Sequence, residues 1–392
     1  MQKYVQLIFV FLIIACIAAC GGSGNSTTAA APIYNLPAAL APASAVMGGA
    51  VQGGAISAKF TNYSVSTPLG VAGKAGSTTD GPPPMFFRPT DITTNGTDYY
   101  VADYANYAIR KVTPSTGVVT TLIDRLIGIM PFSLTLKADG SQLYVVDAGS
   151  NTIRVITIST DSGTGISTAV VTATIGSSAG EVGSVDSTDP TLARFNRPTG
   201  ITTDGDNLYV TDSVNSTIRR IDLNSGYAVS TLAGKSGEVG SGNGPPEIAR
   251  FNLPQRITTD GTSLFVTDFN NRTIRRIDIL TGTVSTLAGS PGPLGADGGT
   301  INGVGTAARF NQPNGITTDG TNLYVTDSLK RTIRRIVISS EVVTTISGTA
   351  GTTGHADTVD GIPSFYTPIG ITTDGTSLFV ADTNNHTIRK IK

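Results

Sequence analysis

Cysteine is almost absent from this 392-residue chain, whose only two cysteines are Cys16 and Cys20. A domain built from the residues that follow has no thiol. The sequence therefore excludes disulfide bonds, a CxxC redox site, a thiolate metal site and a cysteine nucleophile from that domain. Its stability must come from packing and hydrogen bonding.

The chain also has few charges and no excess of either sign. Lysine and arginine number 27 against 28 aspartates and glutamates, and charged residues make up 14% of the sequence. Nucleic-acid-binding domains usually carry a clear basic excess, so we expect no nucleic-acid partner. A helical period of apolar residues is missing after the first twenty residues, which favours an all-β fold.

The first residues have the pattern of an export signal. Lys3 is followed by an apolar run from Leu7 to Ala19, shorter than the roughly 20 residues that a spanning helix needs. The run ends in Ile17-Ala18-Ala19-Cys20, which resembles the lipobox of bacterial lipoproteins. The resemblance implies removal of residues 1–19 and lipidation of Cys20. A plain secretory signal is the alternative.

This resemblance also implies a location. Gly21, instead of aspartate, favours the outer membrane or cell surface of a bacterial envelope over the inner membrane. Residues 20–55 are rich in glycine, alanine, serine and proline and predict a flexible linker. The lipid would then be the only membrane contact, and we place the folded domain at residues 56–392.

A block of about 22 residues occurs six times, which indicates one structural unit stacked against copies of itself. The copies span residues 91–112, 134–156, 200–221, 256–277, 315–336 and 370–391. Each copy contains three short β-rich runs, and a fourth lies between copies, as in VSTLAG at 284–289. Four antiparallel strands recurring about every 55 to 60 residues predict the blades of a β-propeller.

The last copy ends at Lys392 without its fourth strand. Residues Val65–Lys74 resemble the fourth-strand sequence VSTLAGK at 229–235, with a small insertion. We therefore predict a closed six-bladed propeller in which an N-terminal strand at about 65–74 completes the last blade. Closure of this kind leaves no open sheet edge between the two chain ends.

The repeat resembles the NHL family. Its pattern F-N-x-P-x-G-I-x-x-D-G-x-x-L-Y-V-x-D-x-x-N-x-x-I-R-x-I is nearly complete at Phe195–Ile221. The resemblance implies the propeller fold but no activity, because this fold hosts binding proteins, scaffolds and enzymes. Some NHL-like propellers are lyases with a multi-histidine zinc site, and the two histidines here, His355 and His386, are too few for one. Calcium-dependent lactonase-like propellers need only oxygen ligands, so calcium stays possible.

An aspartate at the end of each second strand recurs with an arginine in the third. Their identical spacing in every copy favours a structural ion pair over metal binding or acid–base catalysis, since catalysis needs one asymmetric site. The pairs are Asp103 and Arg110, Asp147 and Arg154, Asp212 and Arg219, Asp268 and Arg275, Asp327 and Arg334, and Asp382 and Arg389.

Function is expected where the copies differ. Two groups of such residues should open on one face of the ring, because strands alternate in direction. Asp91, Arg256 and Asn314 lie where innermost strands begin, and Tyr104, Tyr107, Phe269, Lys330, Arg331 and His386 lie between second and third strands. Aromatic and arginine residues on variable loops are typical binding anchors. Ordinary loop variability is the alternative reading, and the Gly-rich connections 235–248, 290–306 and 349–363 are either a rim on that face or plain surface loops.

These observations predict a monomeric, lipid-anchored binding or scaffold module for a protein, peptide or glycan of the envelope. No catalytic residue and no cofactor is expected. The alternative is a calcium-dependent hydrolase or lactonase with its site at the channel mouth, and a third possibility is a structural envelope component.

Overall fold

The computed structural model describes residues 63–76, 84–161, 163, 166–292, 300–358 and 362–392. The predicted signal, the linker and the lipidation at Cys20 lie outside these residues. In the described part of the chain, no helix is long and apolar enough to cross a membrane.

Six antiparallel sheets form the blades. In blades 1 to 4 the strand order follows the chain from the channel outwards, whereas in blades 5 and 6 an earlier strand of the chain, β18 or β1, is added at the outer edge. Blade 1 contains β2 (Pro89–Thr94), β3 (Tyr99–Asp103), β4 (Ala108–Thr113) and β5 (Val118–Ile123), and blade 2 contains β6 (Pro131–Leu136), β7 (Gln142–Asp147), β8 (Thr152–Thr160) and β9 (Ser167–Ile175). Blade 3 contains β10 (Pro198–Thr203), β11 (Asn207–Asp212), β12 (Thr217–Asp222) and β13 (Ala228–Ala233), and blade 4 contains β14 (Pro254–Thr259), β15 (Ser263–Asp268), β16 (Thr273–Asp278) and β17 (Val284–Gly289). Blade 5 contains β18 (Gly303–Val304), β19 (Pro313–Thr318), β20 (Asn322–Asp327), β21 (Thr332–Val337) and β22 (Val342–Ser347), and blade 6 contains β23 (Pro368–Thr373), β24 (Leu378–Asp382), β25 (Thr387–Ile391) and β1 (Val65–Leu69). Short 3₁₀ turns occupy Tyr104–Asn106, Arg125–Ile127, Gly305–Ala307 and Thr383–Asn385.

The predicted six-bladed, all-β architecture and its N-terminal closing strand are confirmed. Strand β1 pairs with β25, with Val65 opposite Ile391, and Ser64 and Lys392 exchange two backbone hydrogen bonds of 2.9 Å. The strand ends at Leu69 and not at residue 74. Gly70 has φ of +91°, and a Cβ there would lie 2.6 Å from the carbonyl oxygen of His386, so the chain turns away at this glycine.

The core lies between blades and not within them. In β7, Leu143 and Val145 pack against blade 1, whereas Tyr144 and Val146 pack against blade 3. Successive side chains of a strand point to opposite faces, so a sheet held between two neighbours buries both of its faces. This arrangement explains why the second strands are buried except at the first residues of two of them, Gln142 and Asn322.

The described parts of the long connections make contacts in two places. Asn271, in the loop between β15 and β16, donates to the carbonyl oxygen of Gly240 at 2.6 Å, and later residues of the connections lie along the outer edge of the next blade. The connection that precedes blade 3 pairs Ser187 with Val229 of β13, and the one before blade 4 pairs Gly244 with Val284 of β17. In blade 5 the same element is long enough to be β18, which pairs with β22. The outer strands of blades 3, 4 and 5 are thereby protected as edges.

The two faces of the ring differ in what they carry. We call the face that holds the loops between second and third strands the top face. First strands begin there, since Pro198 pairs with Asp212 at the end of β11. Strand β1 begins beside Ile391, at the other end of β25, so the chain enters the propeller from the opposite, bottom face.

Candidate functional site

The first strands of all six blades line a central channel. The cavity there is small, with a volume of about 40 Å³, and its lining comes from β2, β6, β10, β14, β19 and β23. Alternate residues of each strand face the channel. They form two levels, which we call the upper ring and the threonine ring.

The upper ring lies nearer the top face and is strongly asymmetric. Its six equivalent positions are Asp91, Ser133, Gly200, Arg256, Gly315 and Gly370. The glycines are required by close approach of neighbouring strands, because a Cβ on Gly200 would lie 2.5 Å from the carbonyl oxygen of Gln255. The space at this level is therefore left to the three residues with side chains.

Arg256 crosses the channel and closes much of the upper ring. Its guanidinium donates to the carbonyl oxygens of Thr90 at 2.9 Å and Phe132 at 2.8 Å, and also to that of Thr199. It lies 4.6 Å from the ring centre of Phe132, a cation–π contact. A single side chain of blade 4 thus ties together blades 1, 2 and 3.

Asp91 faces Arg256 from the opposite side of the ring, with 3.8 Å between its Oδ2 and Nε of Arg256. The same Oδ2 accepts hydrogen bonds from Ser133 Oγ at 2.6 Å and from the Leu134 amide at 3.2 Å. Burial raises the pKa of Asp91, and the positive charge of Arg256 opposes this rise. The carboxylate is occupied by donors and faces a fixed cation, which does not suit a calcium ligand.

The threonine ring lies below the upper ring, two residues further along each first strand, and was not predicted from the sequence. Its members are Thr93, Thr135, Thr202, Thr258, Thr317 and Thr372. Every copy has Thr-Thr after its first aliphatic residue, except the second copy, which has Thr-Leu. This pattern identifies the threonine ring once the strand is known to be innermost. Six hydroxyls make the lower channel polar but uncharged.

The remaining predicted residue of the channel mouth, Asn314, is buried beside the upper ring. Its carbonyl oxygen accepts a hydrogen bond from Thr267 Oγ1 at 2.7 Å. Its Oδ1 has no hydrogen-bond partner among the described residues. Asn314 does not line the cavity.

The predicted loop residues occupy three structural positions, and the one held by Lys330 is described below with blade 5. Tyr104 and Phe269 directly follow the strand-ending aspartate, where blades 3, 5 and 6 have Ser213, Ser328 and Thr383. Those hydroxyls bond to a proline carbonyl of the next blade, as Thr383 does to Pro89 at 2.7 Å. Phe269 is buried and presents no ring to solvent, whereas Tyr104 is half-buried.

Tyr107, Arg331 and His386 occupy the second position, which has positive φ in every blade. His386 Nδ1 accepts the amide hydrogen of Arg88 at 3.2 Å, as Asn151 Oδ1 accepts that of Arg197 at 2.8 Å. His386 thus joins blade 6 to blade 1, and burial lowers its pKa. Arg331 donates to the carbonyl oxygen of Gly351 at 3.2 Å and so supports a connecting loop.

An aromatic and cationic cluster forms on the top face over blades 1 to 3. Tyr104 contacts Phe132 edge to face, with 5.7 Å between ring centres. Burial raises the pKa of Tyr104, opposed by the nearby positive charges of Arg197 and Arg88. Phe87 and Tyr107 are 37% and 41% exposed on the same blade. We call these residues the top-face cluster; Phe87, Arg88, Phe132 and Arg197 were not predicted from the sequence.

The six repeated aspartate–arginine pairs all form, and none faces the channel. Asp268 Oδ2 lies 2.7 Å from Nη1 of Arg275, and both side chains are fully buried. The other oxygen accepts the Asn252 amide at 2.8 Å, and Asn271 donates to Oδ2 at 2.7 Å. The guanidinium lies 5.1 Å from the ring centre of Phe251. Each pair therefore fastens the entering loop to its blade.

Blade 5 lacks one member of this network. Asn215, Asn271 and Asn385 each donate an amide hydrogen to the blade aspartate at 2.7–2.8 Å, but Lys330 stands at this position in blade 5. The Asp327–Arg334 distance is accordingly longer, at 3.5 Å. Burial raises the pKa of Asp327 to about 7, compared with about 6 for Asp268.

We expect Lys330→Asn to stabilise the protein by about 0.5–1.5 kcal/mol, because the new amide would satisfy a buried carboxylate. Urea unfolding followed by circular dichroism measures this change. The reverse substitution in blade 4, Asn271→Lys, is the matched control and should destabilise. A lower unfolding free energy for Lys330→Asn would contradict the role given to the asparagine.

No group of three or more histidine, cysteine, aspartate or glutamate side chains in the described residues is arranged to hold a metal ion. The top of the ring combines half-exposed aromatic rings with guanidinium groups around a channel mouth that Arg256 largely closes.

Comparison with known proteins agrees with this geometry. Residues 195–221 match the NHL repeat family. A 169-residue part of the chain is 33% identical to NHL repeat-containing protein 2 of Bos taurus. The matched part makes up 40% of this chain and 23% of that protein. The chain thus spans about a quarter of the length of the curated relatives it matches. It is a six-bladed β-propeller that carries an NHL repeat.

Two solved structures from Bacteroides thetaiotaomicron share the fold. One is a protein of unknown function, with a TM-score of 0.63 and 20% identity over 84% of this chain and 75% of that one. The other is described as an auxiliary nutrient binding protein, with a TM-score of 0.60 and 16% identity over 84% of this chain and 76% of that one. At these identities the likeness concerns the fold alone.

Proposed function

We propose that this propeller is a lipid-anchored binding module of a bacterial cell envelope that captures a protein, peptide or glycan partner on its top face. The observation that carries the proposal is the top-face cluster. Its exposed and half-buried aromatic rings, Phe87, Tyr104, Tyr107 and Phe132, lie beside Arg88 and Arg197. Aromatic and arginine side chains are the residues most enriched at binding interfaces.

The closed channel mouth supports binding on the surface and not within the channel. Arg256 is almost fully buried across the upper ring and hydrogen-bonded to three carbonyl groups. A ligand that entered the channel from the top face would have to displace these bonds. The top-face cluster lies outside this closure and needs no rearrangement to contact a partner.

The position of the chain entry suits an anchored binder. The chain joins the propeller at the bottom face, where β1 begins beside Ile391. Strand β1 therefore begins on the face opposite the top-face cluster. The solved nutrient-binding propeller supports only the fold, so the binding role depends on the residues of the cluster.

The rival function is a calcium-dependent hydrolase or lactonase with Asp91 as a ligand. The donors around this carboxylate and the guanidinium of Arg256 weigh against it. Metal analysis of the purified chain separates the two functions. One tightly held divalent ion that is lost in Asp91→Ala would overturn the binding proposal in favour of the hydrolase.

The direct test is capture from envelope extracts by the immobilised chain, with bound proteins and glycans identified by mass spectrometry. We expect a specific set of captured molecules that is lost, by at least about tenfold, in the Tyr104→Ala/Arg197→Ala double variant, because interface anchors each contribute about 2 kcal/mol or more. Tyr227→Ala, the same aromatic truncation at the bottom face, is the matched control and should retain capture. The proposal would be overturned if the double variant captured as much as the wild type, or if the wild type captured nothing specific.

A further inference from the structure

Within the described residues, four blades protect their outer strand in the same way. A short covering segment from the preceding connection lies along the strand, and its central residue is aspartate or asparagine followed by a small residue. The segments span residues 185–187, 242–244, 301–303 and 356–358, with Asp186, Asn243, Asn302 and Asp357 at their centres. They cover blades 3, 4, 5 and 6 in turn.

The contacts of the covering segments are almost identical. In blade 3, Arg219 donates to Asp186 Oδ1 at 2.5 Å and to the Val185 carbonyl oxygen at 3.0 Å. The Thr231 amide of β13 donates to Asp186 Oδ2 at 2.9 Å. Ser187 and Val229 then exchange two backbone hydrogen bonds of 2.8 and 3.1 Å. An arginine, a threonine and a valine thus form a receptor for an extended segment.

Blade 2 keeps this receptor but has no covering segment among the described residues. Only residues 124–130 separate β5 from β6, whereas residues 176–197 separate β9 from β10. Arg154 and Thr174 are paired across β8 and β9, as Arg219 and Thr231 are in blade 3. The Arg154 side chain is 24% exposed, whereas those of Arg219, Arg275, Arg334 and Arg389 are fully buried.

The valine of the receptor is also left uncovered. Val229, Val284 and Val343 are 1–4% exposed beneath their covering segments. The equivalent Val171 of β9 is only partly buried, and its neighbour Val170 is 62% exposed. Strand β9 is nine residues long with the sequence STAVVTATI, which has no charge and no proline. It therefore lacks the charge and the proline that often prevent an edge strand from pairing.

One difference separates blade 2 from the covered blades. The bulge of β9 lies between Ala173 and Val171, whereas the bulge of β13 lies between Ala233 and Thr231. A segment docked on β9 keeps the contacts to Arg154 and Thr174, and its backbone pairing to Val171 is displaced by the bulge. Recognition by blade 2 therefore depends more on the aspartate or asparagine side chain of the segment than on the backbone pairing that follows it.

We propose that the outer edge of β9 is a second binding site, which accepts an extended peptide of another protein with aspartate or asparagine followed by a small residue. The partner adds a strand to blade 2, a known mode of peptide recognition. Its carboxylate or amide bonds to Arg154 and to the Thr174 amide, as Asp186 does to Arg219 and Thr231. This site lies on the outer edge of the ring, so it is independent of the top face and of the function proposed for it.

The test uses a fluorescent peptide that copies residues 183–190, GSVDSTDP, titrated with the full chain and followed by fluorescence anisotropy. We expect saturable binding at one site per chain. A peptide carrying Asp186→Ala should bind at least about tenfold more weakly, because hydrogen bonds to a charged group would be lost. Peptide substitutions leave the protein unchanged, so this comparison is free of folding effects. Equal binding of the two peptides, or no saturable binding, would overturn the proposal.

Two variants of the chain place the peptide on blade 2. Arg154→Gln should weaken binding to a similar extent. A chimera in which residues 124–130 are replaced by the sequence of residues 176–197 carries a covering segment for blade 2 and should lose peptide binding while remaining folded. Unchanged binding to the chimera would contradict the site.

The chain's own linker is the other segment that could occupy the edge of β9, since it contains Gly24-Asn25-Ser26. A chain lacking residues 21–55 tests this. Binding that appears only in that variant would assign the site to the chain's own linker and overturn a partner in trans.

Discussion

Deletion of residues 1–74, which removes β1, should abolish the stable monomeric propeller. The deletion leaves blade 6 with three strands and exposes the edge of β25. Val65 and Leu69 are buried, and each would lose about 1.5–3 kcal/mol of apolar burial, to which the lost ladder hydrogen bonds add about 0.5–1.5 kcal/mol each. This sum is comparable with the whole net stability of a domain, about 5–15 kcal/mol.

The strand also holds the last covering segment. The Thr67 amide donates to Asp357 Oδ2 at 3.0 Å, and Asp357 in turn binds Arg389 at 2.7 Å. Loss of β1 would therefore remove the Thr67 donor of Asp357 and leave the edge of β25 unpaired. We expect a fall of more than about 10 °C in the melting temperature, or aggregation through the open edge.

Thermal unfolding followed by circular dichroism, together with size-exclusion chromatography, measures this result. The matched control is deletion of residues 21–55, which retains β1 and should melt as the full chain does. Adding a synthetic peptide of residues 63–76 to the longer deletion should restore part of the lost stability. A monomeric, wild-type-like melting curve for the longer deletion would show that the ring closes without β1.

Asp268→Ala should destabilise the protein by about 3–5 kcal/mol, the second largest effect we expect. The substitution leaves the fully buried guanidinium of Arg275 without its carboxylate. It also removes the acceptor of the Asn252 amide and of the Asn271 side chain. The cost arises mainly from an uncompensated buried charge and not from the loss of the attraction itself.

The chain provides its own control for this explanation. Asp147→Ala makes the same change in blade 2, where Arg154 is 24% exposed and can be hydrated. We expect a clearly smaller loss there, near the roughly 1 kcal/mol typical of partly exposed pairs. Equal losses in the two variants, measured by urea unfolding, would refute burial of the arginine as the cause. The double variant Asp268→Ala/Arg275→Met should recover part of the stability.

The architecture was predictable because the same sequence pattern occurs six times. The period, the four β-rich runs per copy and the missing last strand were sufficient to predict six blades and closure by Val65, within a few residues of the observed bounds. The Asp–Arg pairs were predictable as structural for the same reason. Identical spacing in each blade requires identical geometry.

The top-face site was only partly predictable. Tyr104 and Tyr107 lie in the cluster, but Phe269 occupies the same loop position as Tyr104 and is buried. Position in the repeat determines which face a residue reaches, whereas exposure depends on the neighbouring blade. Arg88 and Arg197 were missed because they precede a proline in a turn, where their side chains gave no periodic signal.

Arg256 shows most clearly what could not be predicted from the sequence. Its sequence position placed it at the channel mouth and made it a candidate for binding a partner. The structure instead has it cross the ring to three carbonyl groups and Asp91, contacts made between residues as far as 166 apart in the chain. Such distant contacts depend on the diameter of the closed ring and on the glycines that leave room beside it.

The sequence by itself therefore determined the blade, the number of blades and the way the ring closes, because each follows from local periodicity repeated along the chain. The tertiary structure alone decided which departures from the repeat are exposed, which are bonded across the channel, and which blade lacks a covering segment. Those properties belong to contacts between blades, and no single copy of the repeat contains them.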